Sequence, residues 1–103
     1  MESDIKLILT IVNSGFSERA MDAAREHGAG GGTVLRGRGT TADVNNIFGI
    51  KVDPEKDILL IVAPKDHCQA IMEAINKAAG LTTPAGGVCF VLPVDRVVGV
   101  NLK

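Results

Sequence analysis

Residues 57–80 read Asp57-Ile58-Leu59-Leu60-Ile61-Val62-Ala63-Pro64-Lys65-Asp66-His67-Cys68-Gln69-Ala70-Ile71-Met72-Glu73-Ala74-Ile75-Asn76-Lys77-Ala78-Ala79-Gly80. The change of period inside this stretch decides the fold. Ile58 to Val62 is a continuous β-branched and aliphatic run bounded by Asp57 and Pro64, the pattern of a buried strand over 57–63. Cys68, Ile71, Met72, Ile75, Ala78 and Ala79 then recur at helical spacing, with Asp66 as the expected N-cap and Gly80 as the stop.

The same pair of elements stands at the start of the chain. Ile5 to Val12 is nearly all apolar and reads as a central strand, broken by Asn13-Ser14-Gly15. Ser17 is the expected N-cap of a first helix through Ala20, Met21 and Ala24, with Glu18 at its positive end and Gly28 ending it. Thr33 to Arg36 reads as a short strand. Gly37 to Asn46 has no period and many turn formers, so it reads as a mobile loop. Ile47 to Val52 reads as a return strand, and Asp53-Pro54-Glu55-Lys56 as a turn. After the second helix, residues 81–87 form a second loop. Val88 to Leu92 is the last strand, followed by Pro93 and a short segment from Arg96 to Val100.

The order strand, helix, strand, strand, helix, strand contains two βαβ units. With right-handed crossovers it builds an α+β, ferredoxin-like sandwich: one antiparallel sheet with both helices on one face. Residues 1–103 read as a single domain, and a chain of this length can build one core. The strands are apolar almost throughout, yet only one sheet face gains helices. The other face is therefore an expected interface between copies.

Composition excludes several functions. There is no Tyr or Trp and only three Phe, which removes the stacking platforms of single-stranded nucleic-acid binders. Eleven basic against twelve acidic residues give a net charge of −1, so no general attraction for nucleic acid is expected either. No apolar run approaches the ~20 residues of a membrane-spanning helix, so direct membrane insertion is not expected. The start, Met1-Glu2-Ser3-Asp4, lacks the basic and apolar regions of a signal peptide, and a cytoplasmic location is expected. Two cysteines, Cys68 and Cys89, match no zinc spacing and read as buried thiols.

Acidic residues are missing from two windows, 27–42 and 74–94. The first carries His27, Gly31, Gly32, Thr33, Arg36, Gly37, Arg38, Gly39 and Thr40. The second carries Lys77, Gly80, Thr82, Thr83, Gly86 and Gly87. Glycine lets backbone N–H groups approach a ligand, threonine adds hydroxyl donors, and arginine offers a planar fork for phosphate or carboxylate. Together they suggest an anion-binding cleft. The plainer alternative, turn glycines beside solvated arginines, stays open. Neither a P-loop nor a dinucleotide fingerprint is present. No serine follows Ser17, no serine sits in a nucleophile elbow, and His27 and His67 have no obvious catalytic neighbours. An acylphosphatase-type arginine is missing from Asn13-Ser14-Gly15-Phe16. These features argue against an enzyme.

Several stretches resemble P-II nitrogen-regulatory proteins. Met21 to Gly28, then Gly31-Gly32-Thr33-Val34 and Arg36-Gly37-Arg38-Gly39, are similar to the first helix, second strand and T-loop base of that family. Ile71 to Ile75, Ala79-Gly80, and Phe90-Val91-Leu92-Pro93-Val94-Asp95-Arg96-Val97-Val98 are similar to its second helix, the start of its B-loop and its last strands. The resemblance covers essentially the whole chain. It implies a homotrimeric signalling protein, not an enzyme, with adenine-nucleotide sites in clefts between subunits and no prosthetic group. Its sites would combine the T-loop base and B-loop of one chain with strand residues of a neighbour. It carries the strand residues Ile11 and Ala63, and Arg96 after the last core strand, into the ligand set with the two windows. ATP, ADP or AMP would be the effector, and the Gly37–Asn46 loop would regulate a transporter or enzyme, of nitrogen metabolism by family.

The sequence also departs from the family. The segment between Gly39 and Ile58 is short and holds no Tyr or Ser to accept a uridylyl or phosphoryl group. Residues 81–88 hold no lysine, and the family's basic positions fall on Gly99 and Asn101, leaving Arg96. The phosphate charge would fall to Arg36, Arg38, Arg96 and backbone N–H groups, so AMP or an inorganic anion stays open beside ATP. A CutA-like trimeric metal-tolerance or structural protein of the same fold is the alternative.

Overall fold

The computed structural model describes residues 4–40, 46–47, 50–51 and 55–100. Its elements are β1 (Ile5–Asn13), α1 (Ser17–Arg25), β2 (Thr33–Arg38), β3 (Asn46–Ile47), β4 (Ile50–Lys51), β5 (Glu55–Pro64), α2 (Lys65–Ala79) and β6 (Val88–Pro93). Four strands form one antiparallel sheet in the order β2-β5-β1-β6, and β3 pairs with β4 as a separate ribbon. This is the ferredoxin-like arrangement of strands and helices expected from the order of elements.

Several boundaries differ from the expected ones. β2 continues through Gly37 and Arg38, which had read as loop, because both pair with β5 at Lys56 and Glu55. A neighbouring strand that offers ladder partners overrides weak local propensity. For the same reason Glu55 and Lys56 belong to β5 rather than to a turn. The expected strand 47–52 is two short pieces, and residues 41–45, 48–49 and 52–54 lie outside the described residues, 41–45 being half of the expected Gly37–Asn46 loop. Neither helix is capped as expected. Ser17 is already helical behind Phe16, and Asp66 sits in the first turn of a helix that starts at Lys65 behind an extended Pro64. Both helices still place an acid, Glu18 and Asp66, where the N-terminal dipole favours it. α1 ends at Arg25 and winds off through Gly28 at φ +106°, a conformation glycine adopts without cost. A Cβ on Gly28 would lie 2.9 Å from His67 Nδ1, so this turn also lets the end of α1 approach the start of α2.

The register sorts the sheet into two faces. Ile8, Thr10 and Val12 of β1 and Asp57, Leu59, Ile61 and Ala63 of β5 are buried. They face Ala20, Met21 and Ala24 of α1 and Cys68, Ile71, Ile75 and Ala79 of α2, and these residues make up most of the core. The alternate residues point away from the helices. Ile11 lies opposite Ile58 and Val88, Leu9 opposite Leu60 and Phe90, and Leu7 opposite Val62 and Leu92. All nine are apolar, and none is buried in the single chain.

Candidate functional site

Arg36 and Arg38 sit on β2, at one edge of the sheet, with exposed side chains. Gly31, Gly32 and Thr33 lead into this strand and Gly39 and Thr40 leave it. Among these, only Gly39 is half-buried and the rest are exposed. The window lacks acids along the chain but not in space. Arg36 lies directly opposite Asp57, and Arg38 directly opposite Glu55. Asp57 is 5% exposed, and its Oδ2 accepts the Gly15 N–H at 3.1 Å. Its Oδ1 is buried without a hydrogen-bond partner among the described residues.

The second window is a closed turn. Thr83 Oγ1 donates to the Gly80 carbonyl at 2.8 Å and accepts the Ala85 N–H at 3.2 Å. Gly86 N–H goes to the Thr83 carbonyl, and Gly87 N–H to the Ala79 carbonyl, both at 2.9 Å. A Cβ on Gly87 would run into that Ala79 carbonyl, so only glycine lets the chain close here. Much of the donor capacity of Thr83, Gly86 and Gly87 is thus spent holding the loop itself. Thr82 remains exposed.

Asn13 ties this loop to the sheet. Its backbone N–H donates to the Ala85 carbonyl at 2.8 Å and its Nδ2 to the Pro84 carbonyl at 3.0 Å. Its Oδ1 accepts the Lys56 ammonium at 2.7 Å. Sequence reading missed Asn13, Glu55 and Asp57. The first looked like a turn residue, and the two acids follow a connection too long to reveal its register.

The two windows share one end of the sheet but occupy opposite edges, β2 and β6. Three strand spacings, about 14 Å, separate those edges. Within one chain they do not form one cleft, as the expected site would have it. They can meet where the β2 edge of one copy lies beside the β6 edge of another. Ile11 is half-buried on the open face near this end. Ala63 is fully buried on the helix face, six residues or about 20 Å along β5 from Asp57. Arg96 is exposed, beyond the end of β6 whose Pro93 pairs with Lys6 at the far end of the sheet.

Cys68 and Cys89 behave as small apolar side chains. Cys68 donates to the Pro64 carbonyl at 3.4 Å, and Cys89 accepts the Thr10 hydroxyl at 3.3 Å. Burial pushes both thiols above their ordinary range, with Lys6 partly offsetting it at Cys68 and the Thr10 bond at Cys89. Among the described residues no three His, Cys, Asp or Glu side chains gather as a metal site would need. No helix among them is long and apolar enough to cross a membrane.

The chain belongs to the nitrogen regulatory protein P-II family, whose model matches residues 5–103. The fold is similar to that of Arabidopsis thaliana PII in its crystal structure bound to citrate. The TM-score is 0.73 at 25% identity, covering 96% of this chain and 82% of that one. No curated protein matches significantly. P-II proteins are generally non-enzymatic signalling proteins that bind small molecules.

Proposed function

We propose that this chain is a non-enzymatic, cytoplasmic signalling protein that binds a small anionic effector and regulates a transporter or enzyme, within nitrogen metabolism. The effector is an adenine nucleotide or a comparably small anion. It lies at the base of the segment that follows Arg38, in a cleft between copies of a homotrimer. The observation that carries the reading is the placement of the two windows. Both lie at the same end of the sheet, on its two outer strands, beside a sheet face made of apolar side chains with no helix over it among the described residues. Assembly through that face is how the edges of different copies would come together. The citrate bound by the Arabidopsis protein supports a small polyanion as ligand. Effector contact with Arg36 and Arg38 would then bias the conformation of the segment between β2 and β5, and with it the affinity for the partner.

A thermal-shift screen of citrate, phosphate, 2-oxoglutarate, bicarbonate, cyclic nucleotides, AMP, ADP and ATP identifies the effector class. Arg38→Ala is then expected to weaken the best of them about ten- to a hundredfold, the equivalent of a charge-assisted hydrogen bond of roughly 1.5–3 kcal/mol. Arg38→Lys recovers only part, because an ammonium keeps the charge and loses the fork. Unchanged affinity in Arg38→Ala, with an unchanged melting temperature, rules this site out.

A further inference from the structure

The pairing of β2 with β5 sets a carboxylate across from each arginine of the candidate site. Directly opposite residues of an antiparallel pair share a face, with Cβ atoms about 4.5–5.5 Å apart. Arg36 faces Asp57 and Arg38 faces Glu55. Asp57 has little freedom to leave, being 5% exposed and held through one oxygen by the Gly15 N–H. Its other oxygen is buried without a partner among the described residues, so no hydrogen bond there offsets the charge it presents to this face. Two guanidinium groups against two carboxylates leave this face of the ribbon with no net formal charge. Lys56, the remaining cation of the paired segment, alternates to the other face, where its ammonium is held by Asn13 Oδ1. The loop 81–87 brings no lysine or arginine.

We propose that Glu55 and Asp57 are specificity-determining residues that limit the charge of the effector, so that the site takes a nucleoside monophosphate in preference to the triphosphate. The inference rests on the reading of Arg36 and Arg38 as anion ligands. One phosphate suffices to engage the two forks. Every further negative charge on the ligand adds repulsion from both carboxylates and meets no further cation of this ribbon. At about 6 Å, with an effective dielectric between that of water and a protein surface, one carboxylate disfavours each added ligand charge roughly three- to a hundredfold.

The test is isothermal titration of AMP and ATP, without magnesium and at fixed ionic strength, into the full chain and its Glu55→Gln and Asp57→Asn variants. The unaltered chain is expected to bind AMP at least about tenfold tighter than ATP. Each substitution should shift the ratio about tenfold toward ATP, and added salt should shrink that shift as screening sets in. A shift in either variant supports the assignment. Glu55 is exposed, so Glu55→Gln carries the test alone should Asp57→Asn fail to fold. Equal binding of AMP and ATP by the unaltered chain, or a ratio unmoved in every folded variant, overturns the assignment and leaves the anion site standing. Binding of neither nucleotide to any form overturns the anion site and this inference together.

Discussion

Leu60 and Ile61 are neighbours on β5 and meet different worlds. Ile61 is fully buried beneath the helices, in a face that also holds Thr10 and Asp57. Leu60 lies on the other face, opposite Leu9 and Thr33, in a patch apolar along the middle of the sheet with no helix above it among the described residues. The covered face tolerates polar groups because the fold provides partners: Cys89 for Thr10, and the Gly15 N–H for one oxygen of Asp57. The open face has no such groups across β1, β5 and β6 between Leu7 and Ile11, as a surface buried in the proposed assembly would require. One face makes the subunit; the other is the face through which the proposed assembly would form.

Leu60→Asp should have the largest effect. It would place an unpaired carboxylate in the proposed interface, costing several kcal/mol per copy, and sedimentation should report a monomer at micromolar concentration with helical circular dichroism retained. Wild-type sedimentation in that variant would break the contrast between the faces. Ile61→Ala should do the reverse, lowering unfolding free energy by about 2–5 kcal/mol at matched concentration while the assembly state at low denaturant persists.

A smaller effect belongs to the end of the sheet. Asn13→Ala removes the acceptor of Lys56 and the donor to the Pro84 carbonyl, and should cost about 1–2 kcal/mol in denaturant titration. A loss below a few tenths would show that the loop holds itself without the sheet.

The smallest effect is that of the thiols. Burial raises both above the ordinary value of 9.0, so the unfolded chain ionises first as pH climbs. The unfolded state then binds fewer protons than the native one, and stability falls as pH rises from about 9 toward the higher native values. Replacing both cysteines with alanine should flatten that alkaline limb. An equally steep limb in the double variant would assign it to other groups.

Much of the fold was legible because the patterns were local. Ile58 to Val62 and Cys68 to Ala79 each carry their period in the residues themselves, and the order of elements then leaves few topologies. Helix starts were misplaced by one residue at α1 and by two at α2. Phe16 and Pro64 hold the cap positions by backbone geometry, whereas Ser17 and Asp66 had the side chains that usually do so. The site was legible only in part. Arg36 and Arg38 stood out along the chain, but their true neighbours, Glu55 and Asp57, lie some twenty residues on. Their proximity depends on a register set by pairing along the whole of β2, which no local signal encodes. Asn13 was hidden for a similar reason. Its amide works between Lys56 and Pro84, both more than forty residues away.

The open sheet face has a genetic consequence. Arg36 and Arg38 lie at the β2 edge, outside the apolar patch centred on Leu9 and Leu60, so a copy damaged at either arginine keeps whole the apolar face on which the proposed assembly rests. If copies assemble as the proposed trimer, then in a cell making both forms damaged and intact copies would enter the same trimers. A trimer with one damaged copy would lose the cleft lined by that copy's β2 edge and keep the clefts lined by the others. Such alleles would blunt the response in proportion to their dosage. Alleles that place a charge at Leu60 would behave as simple losses, because their product would never join the intact copies.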